Sequence, residues 1–231
     1  MDYKRNQKYF RPKKSLKTPI IVGIVGLILC AVKLWIGLLI IAGLIAWLYL
    51  SKRPSDAEID AQVDEALNDL KAQAIKKLGI DEEEIAIAEP LITYGYSFGK
   101  RAITDETLRE AWGVQGKDYL WRSPIIQLSF FGFSENEIYF YRRYTSMVSD
   151  TKKEITSVIN YKDVVSVKSA SEMVPACDPA TGQEIPNSQI TYDYFELNVP
   201  GDCISCAVRN SDTADETVKA LRALVKQKKN S

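Results

Sequence analysis

Histidine is absent from the 231 residues, and cysteine and methionine are scarce, at four and three. The missing histidine removes the commonest general base, the Ser-His and Cys-His nucleophile pairs, and the most frequent transition-metal ligand. The four cysteines do not form a disulfide framework. Cys30 falls in an apolar run and Cys177 in a turn-rich stretch. Cys203 and Cys206 make a C-x-x-C inside Asp202–Arg209, which reads as a strand. Strand alternation sends those two thiols to opposite faces, whereas redox C-x-x-C pairs sit at helix starts. No second pair completes a zinc site. Two reduced strand cysteines fit a reducing compartment. The chain also lacks G-x-G-x-x-G, P-loop and G-x-S-x-G patterns. The acidic run Glu82–Glu84 reads as solvated surface. No catalytic, cofactor-binding or metal-ligating residue is therefore assigned, and the chain is read as non-enzymatic.

Net charge is zero, but it averages unlike pieces. Lys4, Arg5, Lys8, Arg11, Lys13, Lys14 and Lys17 crowd the N-terminus beside one acid, Asp2. Past Leu50 the acids outnumber the bases. A net-negative domain is a poor nonspecific ligand for phosphate backbones, so no nucleic-acid partner is expected.

Ile20 to Leu50 is apolar except for Lys33. Such a run exceeds the roughly 7–15 residues of a signal-peptide core, so it is read as a retained anchor. As one helix it would extend about 46 Å, against a hydrocarbon core of about 30 Å. It would also hold Lys33 near mid-bilayer, at a cost of about 3 kcal/mol. A helical hairpin bent near 33–35 is the favoured solution, with one long tilted helix as the alternative. In the hairpin Lys33 and Trp35 meet the membrane interface at the bend, and Lys52 and Arg53 meet it at the far flank. Basic residues on both flanks then place both termini in the cytoplasm.

Ser55 and Glu58 have capping-box spacing, and Ile59, Val63, Leu67, Leu70, Ala74 and Leu78 recur at helical intervals before Gly79. This predicts an amphipathic stalk helix over 55–79. Its apolar stripe either packs on the chain's own domain or forms a short dimeric coiled coil. From Ile85 the period becomes two. Strands are expected at Ala88–Phe98, Arg122–Phe133, Glu137–Met147, Glu154–Tyr161, Val164–Ser171, Gln189–Val199 and Cys203–Arg209. A last helix is expected from Asp212 to about Lys228, with Ala214, Val218, Leu221, Leu224 and Val225 on one side.

Phe131 to Lys228 resembles the PH-like (pleckstrin-homology and GRAM-type) domains of bacterial membrane proteins. The resemblance is carried by Ile138-Tyr-Phe-Tyr-Arg142, Tyr161-Lys-Asp-Val-Val-Ser-Val167, Phe195-Glu-Leu-Asn-Val-Pro200, Ile204-Ser-Cys206 and the closing helix. It implies a seven-stranded antiparallel barrel capped by a C-terminal helix, and binding of headgroups, peptides or subunits rather than catalysis. In the phosphoinositide-binding version of such domains a basic cluster lies in the first hairpin loop, a pattern from which this sequence departs. Here that connection, Gly99–Trp121, mixes Lys100, Arg101, Arg109 and Lys117 with Asp105, Glu106, Glu110 and Asp118. Lys100 and Arg101 are the candidate headgroup contacts, while the interleaved acids favour reading the connection as a solvated loop. Arg142-Arg143 and Lys152-Lys153 form a weaker second candidate, since strand neighbours point to opposite faces.

The expected fold class is α+β: a transmembrane helical hairpin, an amphipathic linker helix and the PH-like barrel. The segments are a basic tail at 1–18, the anchor at 19–50, the stalk at 55–79 and the domain at 85–231. The expected function is a membrane-anchored scaffold or interaction protein, multi-pass, presenting its domain at the cytoplasmic face of a bacterial plasma membrane. The alternatives are a phospholipid-headgroup-binding module and an oligomeric subunit of a membrane complex. Expected partners are the lipid bilayer, anionic headgroups, and a second copy or another protein.

Overall fold

The computed structural model describes residues 1–11, 17–50, 52–98, 113–177, 183–209 and 211–229. Helices α1 (Tyr3–Phe10), α2 (Lys17–Val32), α3 (Leu34–Leu50), α4 (Asp56–Asn68) and α5 (Leu70–Leu78) come first. Among the described residues nine strands follow: β1 (Leu91–Tyr96), β2 (Val114–Gln115), β3 (Trp121–Arg122), β4 (Ile125–Phe133), β5 (Glu137–Ser146), β6 (Lys152–Asn160), β7 (Ser166–Cys177), β8 (Glu184–Val199) and β9 (Asp202–Ala207). Helix α6 (Ser211–Lys229) closes the described chain.

Strand β4 shows why the body is layered. Every one of its residues is buried, which requires cover on both faces. Ile126, Leu128 and Phe130 face one way, and Gln127, Ser129, Phe131 and Phe133 the other. The first set packs with Tyr141 against Ile59 and Val63 of α4 and Leu70 and Ala74 of α5. The second joins Phe140, Phe195, Leu197, Ile204 and Val218 in a separate core. The sheet β1-β4-β5-β6 is thus the middle layer. Helices α4 and α5 lie on one side, and the sheet β7-β8-β9 with α6 on the other.

This arrangement corrects the barrel expectation. The strands form a four-stranded sheet, a three-stranded sheet and the small β2-β3 ribbon, not a closed seven-stranded barrel. The two larger sheets meet through side chains and one tight corner. A Cβ on Gly95 of β1 would stand 2.9 Å from Ala207 Cβ and from Val208 N, so only glycine lets β1 approach β9 there. Cys177, read as loop, ends β7 opposite Glu184.

The amphipathic segment splits at Asn68-Asp69, two poor helix formers, into α4 and α5. Its start is the expected capping box. Ser55 Oγ accepts from Glu58 N at 3.2 Å and Glu58 Oε2 accepts from Ser55 N at 2.7 Å. Gly79, at φ 68°, ends it in the left-handed conformation. The stripe is buried on the chain's own sheet. On the opposite layer, Ala214, Val218, Leu221 and Val225 of α6 are buried at helical spacing.

The apolar run breaks at Lys33, whose N–H still bonds Leu29 O at 2.7 Å while its own carbonyl starts α3. The arms pack antiparallel. A Cβ on Gly26 would lie 3.1 Å from Ile40 Cγ2, and one on Gly23 3.3 Å from Leu44 Cδ2. The break leaves arms of 16 and 17 residues. At ~1.5 Å per residue these are about 24–26 Å long, short of a hydrocarbon core of about 30 Å. Among the described residues, no helix is long and apolar enough to cross a membrane. That overturns the transmembrane hairpin, the multi-pass assignment and the placement in a plasma membrane with both termini cytoplasmic.

Candidate functional site

Two features stand out: a buried ion-pair hub in the body, and the exposed hairpin rooted beside it. The hub centres on Arg122, in β3, whose side chain is 1 % exposed. Its Nε and Nη2 donate to Asp60 Oδ1 and Oδ2 at 3.0 and 2.7 Å. Its Nη1 and Nη2 donate to Asp118 Oδ1 and Oδ2 at 3.0 and 2.7 Å. Gly116 leaves room for this packing, because a Cβ there would lie 2.5 Å from Arg122 Nη1 and from Asp118 Oδ1, which would have to shift. Asp60 also accepts from Tyr96 Oη at 2.9 Å and from Arg209 Nη2 at 3.3 Å. Arg209 Nη1 reaches Tyr94 Oη at 2.9 Å. Beside them Tyr9 Oη donates to Asp56 Oδ1 at 2.7 Å, and Lys117 N to Asp56 Oδ2 at 2.8 Å.

Electrostatics holds Asp60, Asp118 and Arg122 in their charged forms and Tyr9 and Tyr96 in their neutral ones. Hydrogen bonds from Arg122 hold the Asp118 carboxyl down at about 2. Burial alone would raise Asp60, but the bonds from Arg122 and Tyr96 outweigh it, and its carboxyl is lowered. Arg122 is raised, first by its bonds to Asp118. Burial followed by the neighbouring carboxylate raises Tyr96 and Tyr9. The hub is a satisfied charge network with no proton to exchange near pH 7. It ties α1, α4, β1, the ribbon and Arg209, just past β9, together. Asp118, read as one acid of a solvated loop, is a main-body ion-pair partner.

The basic candidates fare differently. Lys100 and Arg101 lie outside the described residues. Arg142 and Arg143 do project to opposite faces, and both are occupied. Arg142 Nη1 donates to Ser205 O at 2.8 Å, with its guanidinium 5.6 and 5.2 Å from the Phe140 and Tyr144 ring centres. Arg143 donates to Ala66 O at 2.9 Å and to Gln73. Lys152 is exposed, 3.7 Å from Asp150. Cys206 is fully buried, which pushes its thiol up to about 12, and Cys203 is half-buried. An open depression of about 770 Å³ is bordered by Glu83, Glu84, Glu135 and Glu137 with Lys162 and Lys228. Among the described residues, no group of three or more acids or cysteines could hold a metal ion.

The hairpin is the opposite of the hub. Ile20, Ile24, Leu27 and Ile28 on α2 are exposed, as are Leu34, Leu38, Leu39 and Ile45 on α3, Leu39 at 73 %. At the bend Lys33 is exposed and Trp35 is 81 % exposed. At the foot of α3 Lys52 is exposed and Arg53 half-buried, where burial lowers its guanidinium. Each apolar side chain left in water forgoes about 1.5–3 kcal/mol of burial.

Both ends of the hairpin are rooted in one place. The first residues, read from their charges as a tail, contain α1, capped by Asp2 Oδ1 accepting from Arg5 N at 3.1 Å. Tyr9 and Phe10 of α1 are buried in the core beneath α4. Asn6 Nδ2 donates to Gln62 Oε1 at 2.8 Å, Gln62 Nε2 returns to Asn6 Oδ1 at 3.0 Å, and Arg5 pairs with Glu58 at 2.5 Å. Asn6 Nδ2 and Gln7 Nε2 also donate to Met147 O and Val148 O at 2.9 and 2.8 Å, beyond β5. The segments before and after the hairpin are thus bonded to each other and to the sheet. The Tyr9-Phe10 pair was the sequence signal for this dock, masked by the surrounding lysines and arginines.

Comparisons with protein-family models, with curated proteins and with solved structures find no match, so the PH-like resemblance rests on the residues quoted for it.

Proposed function

We propose that the protein is a non-enzymatic interaction scaffold, in which the apolar hairpin is the docking element and the α+β body is what it holds in place. One observation carries this reading: an exposed hairpin, apolar on all sides, has both ends rooted in the bonded α1–α4 pair. Contiguous exposed apolar surface of this extent marks an interaction site. Rooting at two points transmits the position of the docked hairpin to the body, which one flexible tether would not do. The hub beneath supplies rigidity, since α1, α4 and the ribbon share its carboxylates.

Sedimentation velocity of the full-length protein without detergent tests the reading. The wild type is expected to self-associate through its uncovered hairpin. The variant Ile24→Gln/Leu27→Gln/Leu39→Gln is expected to sediment as a monomer with an unchanged circular-dichroism spectrum. A monodisperse, monomeric wild type would remove the reading.

A further inference from the structure

We infer that the partner of the hairpin is a lipid layer, entered from one side, with Lys33 and Trp35 held at headgroup level. This rests on the docking reading above and names its partner.

Shape is the first argument. A helix that fits a protein groove presents one apolar stripe and keeps the other face polar. Here the stripe is missing. Exposed apolar residues run around both arms, from Ile20, Ile21, Ile24 and Leu27 to Leu38, Leu39 and Ile45. The occupant must therefore surround the hairpin, and acyl chains do so.

Charge is the second argument. From Tyr3 to Ser55 the chain has no acidic residue, while Lys13 and Lys14 precede the hairpin, Lys17 opens it, and Lys52 and Arg53 follow it. Basic residues clustered beside apolar surface complement anionic headgroups. The acids are gathered in the body beyond Asp56.

Rooting is the third argument. Because α1 and α4 are bonded together, both feet stand on the same side of the layer. Arms of about 24–26 Å stop short of a core of about 30 Å. An upright hairpin would strand the Lys33 ammonium among acyl chains. A tilted one returns Lys33 and Trp35 to the near headgroups, where both side chains are favoured. This is burial without crossing.

The test is flotation of the full-length protein with phosphatidylcholine vesicles, with and without phosphatidylglycerol. The protein is expected to float with both, more tightly with the anionic vesicles at low salt, and Lys52→Gln is expected to weaken anionic binding by roughly fivefold. Quenching of the fluorescence lost in Trp35→Phe is expected to be stronger from a headgroup-level nitroxide than from one at mid-chain. Stronger mid-chain quenching would overturn the tilted placement. Wild type that stays at the bottom of the gradient, yet self-associates through its hairpin, would overturn the lipid partner and leave the docking reading standing. If the triple glutamine variant matches wild type in both flotation and sedimentation, both fall.

Discussion

Residues 17–50 and 56–78 are both helical pairs with a short break, at Lys33 and Asp69, yet they have opposite fates. In the first pair apolar residues occupy all sides, and most of their surface is turned outward. In the second they occupy one stripe, and Ile59, Leu70 and Ala74 are fully buried on the sheet. The difference lies in polar content. Asp64, Glu65, Asn68, Lys76 and Lys77 give α4 and α5 a solvated side, so the other side has one way to face. The hairpin has no solvated side and so no preferred face for a protein core.

Substitutions at Arg122, Leu70, Ser55 and the Asp60–Asp118 pair test this contrast, all read by chemical denaturation of the full-length protein. The largest effect is expected at the hub. Arg122→Ala strands Asp60 and Asp118 without their partner and should cost about 3–5 kcal/mol. A loss below about 1 kcal/mol would mean that the hub is ornamental. Next, Leu70→Ala opens a cavity under α5 and should cost about 2–4 kcal/mol. An insensitive protein would show that the α5 face is not core. Ser55→Ala removes the α4 cap and should cost about 1 kcal/mol, and Ser55→Asp should restore most of it.

The smallest effect concerns pH. The Asp118 carboxyl, held at about 2, is depressed below its ordinary value. A depressed carboxylate contributes stability that is present above the unfolded pKa and lost as pH falls through the folded one. Stability should therefore decline between about pH 4 and pH 2, with Asp60 adding to the fall in the same direction. Asp118 is 40 % exposed, so solvent screens its share, and Asp118→Asn should flatten the acid limb only slightly. An unchanged slope in Asp60→Asn/Asp118→Asn would detach the hub from acid stability.

Local pattern made several elements legible. Ser55-x-x-Glu58 fixed the start of α4, alternation marked the seven long strands, and 214/218/221/225 marked the buried side of α6. Closure of the sheets was not legible, because it depends on which edges bond, and Gly95 reports that corner only once β9 is beside it. Arg122 was read as the first residue of a strand. Its partners are Asp118, four residues away, and Asp60, sixty-two away, and no local period links them. Charge misled twice. The basic N-terminal residues hid the buried pair Tyr9-Phe10, and Arg142-Arg143 looked available while bonded to Ser205 O and Ala66 O.

On the docking reading, the hairpin's apolar surface contributes nothing to the body's own stability. The unfolding free energy of the body in Ile24→Gln/Leu39→Gln, measured by urea denaturation in detergent and followed at tryptophans of the body, tests it most directly. A change within about 0.5 kcal/mol of wild type is expected. A loss of several kcal/mol would show that α2 and α3 are packed as core, and would contradict that reading.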